Sequence, residues 1–225
     1  DLTFTSQRRE FKDTGGQHGK IDAPPFWRRR PAHQFIHGDQ HAPAALDFLK
    51  EKCIDIAFRH RMSTDPPSAQ FDGIVHPAVT GAFGNTSDLD ENDRVVILFT
   101  PAVNRLTPRG ADGFIGGFFY GVDLLDREGS NHGEVFYALV PDPGGTFSDP
   151  RSKTVVMNVM PAILAHELQH MVHFNERVLV LGAENTEALW LSEGLAQMAE
   201  EVVARAYYDL GEVTKGDQFR SGNLT

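Results

Sequence analysis

The most constraining stretch of the chain is ILAHELQHMVHF, residues 163–174. Ile163, Leu164, Leu168, Met171, Val172 and Phe174 make it apolar nearly all round, as in a helix buried on every side. Into that background the sequence sets His166, Glu167 and His170. Buried polar groups cost free energy unless they are hydrogen-bonded, paired or bound to metal, so the fold must provide for all three. Residues four apart on a helix lie one turn above each other. Both imidazoles therefore point the same way and can reach one ion at about 2.0–2.1 Å. Glu167 lies about 100° round from His166, beside such an ion without being forced to ligate it. That position suits a base taking a proton from a metal-activated water. The competing reading is a pair of histidines hydrogen-bonded within a core.

A catalytic zinc takes three protein ligands and keeps one position open. His173 shares the helix face, but three ligands along one straight helix would span about 10 Å at 1.5 Å per residue and hardly converge. The better candidate is Glu193 in ALWLSEGLAQMAEE, a carboxylate in an otherwise apolar turn among Trp190, Leu191, Leu195, Met198 and Ala199. A short loop between the two helices lets them pack antiparallel and bring Glu193 over the histidines. Gly194 is expected to allow close approach of another backbone.

The rest of the chain is organised around this pair. Residues 1–43 read as an irregular arm or linker, rich in arginine, proline and glycine and without apolar periodicity. His33, His37 and His41 recur every four residues there, but Pro31 and Gly38 argue against a regular helix, so a solvated or packed arm is the reading. Residues 44–225 read as one domain, with a mixed helix-and-sheet part over 44–150 and a helical part over 151–225. Leu46, Phe48, Leu49, Cys53, Ile54, Ile56 and Ala57 predict an amphipathic helix. DRVVILFTPAV suits a central strand buried on both faces. GFIGGFFYGVDLL is a glycine-broken strand or close-packed turn, and GEVFYALVP another strand. The zinc-motif helix is expected from about Ser152 to Asn175, or from near Pro161, since proline is tolerated in a first turn. Asn185 or Thr186 is expected to cap the second helix and Gly211 to end it.

DLDENDR, residues 88–94, begins like a calcium loop with Asp88, Asp90 and Asn92. An EF-hand would need glycine at the sixth position and glutamate at the twelfth; the chain has Asp93 and Phe99. A polar turn feeding a buried strand is the reading, with Ca2+ as the alternative.

HELQH, followed after 23 residues by the glutamate of WLSEG, resembles the gluzincin class of zinc metallopeptidases. WLSEGLAQMAE is similar to the W-L-N-E-G-F-A block of aminopeptidase N-type enzymes, with Ser192 in place of asparagine. Upstream, NDRVVILFTPAV, GFIGGFFYGVD and SNHGEVFYALV resemble the hyicolysin-like bacterial neutral metallopeptidases. The resemblance covers residues 70–205 and is tight at the two zinc blocks. It implies an α+β, zincin-like fold: a twisted mixed β-sheet with the HExxH helix packed on it and a helical C-terminal part. It implies His166, His170 and Glu193 as ligands of one Zn2+, Glu167 as general base, and secretion from a bacterial cell. The aminopeptidase motif that holds a free amino terminus is absent, which favours an endopeptidase. Where thermolysin-like relatives carry an aspartate that orients a zinc histidine, this chain has Gln197; Glu200, one turn further, is the substitute carboxylate. No histidine follows His173. Tyr207 and Tyr208 are the candidate oxyanion donors, with helix packing as their plainer reading.

The functional expectation is therefore a zinc-dependent endopeptidase acting on protein or peptide, with a zinc-retaining, non-catalytic binding or scaffold domain as the alternative. Substrate is expected to pair with an exposed edge strand, for which EVFYALV, residues 134–140, is the candidate. The net charge of −10 argues against a nucleic-acid surface. Apolar runs fall short of a membrane span, and the single cysteine, Cys53, excludes an internal disulfide. The chain begins at Asp1 without a signal-like segment, as a processed form or an excised piece would.

Overall fold

The computed structural model describes residues 69–211. The arm over 1–43 with its three histidines, the helix expected around Leu46–Ala57, and the C-terminal tail lie outside that range. The described part is α+β. A π-helical turn, Phe71–Val75, runs into α1, His76–Phe83. Then come β1 (Val96–Phe99), the short α2 (Pro101–Arg105), β2 (Gly117–Phe119) and β3 (Val135–Ala138). Two long helices follow, α3 (Lys153–Phe174) and α4 (Leu189–Asp209). None of the described helices is long and apolar enough to cross a membrane.

The sheet is mixed, in the order β1-β3-β2, with β1 parallel and β2 antiparallel to β3. This corrects two strand expectations. VILF is a flanking strand among the described residues, with Val96 39% exposed, whereas VFYA is the interior strand. A continuous apolar run looks the same on a central strand and on a flank half-covered by its neighbours, because strand order is set by long-range pairing. The interior position of β3 also removes EVFYALV as an edge for substrate. β2 is buried along its whole length, so neither strand presents an open edge.

α3 occupies the centre. Ala162 to Gln169 are buried without interruption, and two turns covered on every side require the all-round apolar pattern of the sequence. Ser152 caps the helix by accepting from the Val155 N–H at 3.2 Å. The helix starts there and carries Pro161 in its interior, so the expected start near the proline is corrected. An interior proline costs about 3 kcal/mol; Val156 and Met160 just before it and Ile163 just after are fully packed, and that burial offsets the break. Beyond Phe174 the chain continues as a π-helical turn, Asn175–Val180.

Glycines set how closely the layers approach. A Cβ on Gly117 would lie 2.7 Å from the Tyr137 carbonyl oxygen and 3.1 Å from Ile163 Cγ2, so β2 can wedge between β3 and α3 only as glycine. Gly84 ends α1 with φ 113°, and a Cβ there would meet the Glu176 carboxylate at 2.7 Å. The Asn85 N–H donates to that carboxylate, and the Asn175 side-chain amide donates to the Asn85 carbonyl at 2.9 Å. The end of α1 is thereby latched to the end of α3.

Candidate metal centre

α3 divides its polar residues between two faces. Ile163 and Glu167, four apart, face β2. His166 and His170, also four apart, face α4. Glu167 Oε2 accepts from the Phe119 N–H of β2 at 3.1 Å. His166 Nδ1 lies 2.8 Å from Glu200 Oε1, and His170 Nδ1 lies 3.1 Å from Ser192 Oγ. Rising residue number on α3 thus meets falling number on α4, so the helices run antiparallel.

That pairing sets Glu193 across from both imidazoles. Its Oε2 is 3.4 Å from His166 Nε2 and its Oε1 is 3.2 Å from His170 Nε2. Potential ligand atoms of His166, His170 and Glu193 all lie within 4.8 Å of one another. The imidazole planes stand at 75° with centroids 4.9 Å apart, so the rings converge on a point rather than stack. His166 is buried, whereas Glu193 is 23% exposed at its side chain, leaving the cluster open on that side.

Electrostatics favour a cation here. Burial alone would hold the His166 pKa down, yet hydrogen bonds to the Glu193 and Glu200 carboxylates outweigh it and raise it to about 10. A site that retains a proton so strongly attracts positive charge. Two features fit the cluster to a divalent metal. Both Nδ1 atoms have partners behind them, which directs both Nε2 atoms forward. The carboxylate set against them has one oxygen for each. Three donors of the N, N, O kind suit zinc with an open fourth position. Burial raises the Glu167 pKa, with the two nearby imidazoles opposing it.

Several positions differ from expectation. His173 lies outside the cluster; its Nε2 is buried without a hydrogen-bond partner, and burial lowers its pKa. α4 begins at Leu189 with no side-chain cap, rather than at Asn185 or Thr186. The stretch before it is used to return the chain: Arg177 pairs with Glu187 and donates to the Asn185 carbonyl. Gly211, with φ 77°, does follow the end of α4. No atom approaches within 4 Å of a Cβ placed on Gly194, so close backbone contact is not its role. The apolar surroundings read around Glu193 are partly solvent-facing: Trp190 is 76% and Met198 58% exposed. Tyr207 is buried in the hydrophobic core, in keeping with its packing reading.

Sequence reasoning missed Ser192 as a partner of His170, having noted it only as a substitution for asparagine. It also missed that Gln197 and Glu200 act together: the Gln197 amide donates to Glu200 Oε1 at 2.9 Å. The signal was present in their helical spacing from Glu193, since residues 192, 193, 197 and 200 share one face.

No family model matches the chain. Over 133 residues, 59% of its length, it is 33% identical to the Neutral metalloprotease ShpI of Staphylococcus hyicus. The chain spans 29% of that protein's length. The similarity relates the chain to a metalloprotease.

Proposed function

We propose that the chain is the catalytic part of a zinc-dependent endopeptidase of the gluzincin type, with a zincin-like fold, acting on protein or peptide. One observation carries this reading: Glu193 of α4 sets one oxygen against each imidazole of α3, while Glu167 stands beside them on the adjoining face. The similarity to a neutral metalloprotease supports it.

His166, His170 and Glu193 would hold the zinc. Bound there, zinc supplies Lewis acidity, lowering the pKa of a water toward 7 and polarising a carbonyl. The remaining work falls to the chain. Glu167 manages the proton. With Oε2 fixed by the Phe119 N–H, Oε1 is the oxygen that accepts the proton of the attacking water and returns it to the leaving amine. Its burial strengthens it as a base, because desolvation disfavours the carboxylate form. Glu200 and Ser192 hold the two imidazoles at Nδ1, so neither ring can turn away. Gln197 in turn holds Glu200.

Cleavage of unfolded casein by the full chain, with and without a zinc chelator, tests the proposal. Hydrolysis should stop with the chelator and return on adding zinc. Glu167→Gln should keep about one zinc per chain and lose cleavage by about 10²–10⁴-fold. A chain that holds zinc but shows no chelator-sensitive cleavage would instead be a non-catalytic scaffold.

A further inference from the structure

A second cluster lies away from the helices, where the turn before β1 meets the start of β3. One carboxylate oxygen from each of Asp88, Asp90 and Glu134 lies within 4.8 Å of the others. Among the described residues none of the three has an ion-pair partner. Three like charges this close repel, and the repulsion is strongest where burial excludes water. Asp88 and Asp90 are exposed, but Glu134 is 2% exposed. Its Oε1 accepts from the Leu89 N–H at 3.1 Å, while its Oε2 is buried with no hydrogen-bond partner. A buried carboxylate oxygen without a partner is costly, and this carboxyl group lies beside two further carboxylates.

We propose that Asp88, Asp90 and Glu134 form a calcium site that fastens the turn before β1 to the start of β3. A cation removes the repulsion and satisfies Glu134 Oε2 in one step. All three donors are carboxylate oxygens, which select a hard cation over zinc. Calcium takes six to eight oxygens in flexible geometry, so water on the exposed side completes its shell, whereas magnesium demands near-ideal octahedral ligands. The Asn92 side-chain amide donates to Asp90 Oδ2, which holds that carboxylate in place. Asp88 Oδ1 accepts from the N–H groups of Asn92 and Asp93 at 2.9 and 3.0 Å, which leaves Oδ2 for the ion. The site resembles no EF-hand: its third carboxylate comes from the residue just before β3, 44 residues on from Asp90. The inference stands apart from the proteolytic reading.

Calorimetric titration of calcium chloride into the zinc-loaded full chain, after dialysis free of calcium, tests it. Zinc loading keeps calcium from the other cluster. One Ca2+ per chain is expected, with a thermal midpoint that rises and saturates over the same concentrations. Asp90→Asn and Glu134→Gln should each weaken binding at least tenfold. Asp209→Asn, which removes an equal charge at the end of α4, should bind as the parent does. Should Glu134→Gln fail to fold by circular dichroism, Asp90→Asn decides alone. Absence of calcium binding, parental affinity in Asp90→Asn, or equal displacement by magnesium at the same concentration would each overturn the proposal.

Discussion

The two side-chain clusters are built in opposite ways. His166, His170 and Glu193 project from two long helices, and a further layer of Glu200, Gln197 and Ser192 stands behind them. Asp88, Asp90 and Glu134 combine a turn with a strand end, and their support is backbone N–H groups. The first is preorganised by side chains whose positions the α3–α4 packing fixes. The second brings its carboxylates together because the chain path leaves them there. Preorganisation is what a reactive centre needs, since misplacing ligands by about 1 Å is costly. A fastening ion tolerates looser geometry.

The largest effect should come from removing Glu193, the carboxylate of α4 that the proposed zinc site draws against both imidazoles. Glu193→Ala should leave a folded chain, because the side chain is partly exposed, yet zinc content after dialysis should fall from about one per chain toward none. Cleavage should fall to background with it. Full zinc retention in that variant would break the contrast at its root. Glu200→Gln should be next. It keeps the size of the side chain and removes the charge behind His166, and should weaken zinc about 10–100-fold in a chelator competition. Calcium affinity in the same variant should not move, which separates the clusters. Ser192→Ala removes one neutral hydrogen bond worth about 1 kcal/mol, so zinc should weaken by less than about tenfold. A loss as large as that of Glu200→Gln would show that the His170 side is the more critical support.

The smallest effect concerns the sheet end near the second cluster. Asp123 is fully buried, accepts hydrogen bonds from Tyr137 and Asn131, and takes the Gly133 N–H on its backbone carbonyl, next to Glu134. Burial raises its pKa above 3.8, outweighing those hydrogen bonds. A folded pKa above the unfolded one contributes stability at low pH that is lost as pH rises through the folded value. The stability of the parent relative to Asp123→Asn, measured by urea unfolding, should therefore decline from about pH 4 toward neutrality. A difference that grows with pH would reverse the sign and refute the burial argument.

Much of the first cluster was readable from local spacing. Four-residue separation puts His166 and His170 on one side of a helix whatever surrounds it, and the rise per residue excludes His173 as a third partner. The apolar run around them announces a buried helix. Glu193 was reachable because a carboxylate stood out on the following helix. The second cluster was only half readable, since Asp88 and Asp90 are neighbours but Glu134 lies just before β3, far along the chain. Strand order was misjudged for the same reason, with VILF expected inside and EVFYALV at an edge. Helical geometry repeats within a few residues and is written into the chain as a period. Strand neighbours and carboxylates distant in sequence meet only when the whole chain closes, and no local pattern encodes that meeting.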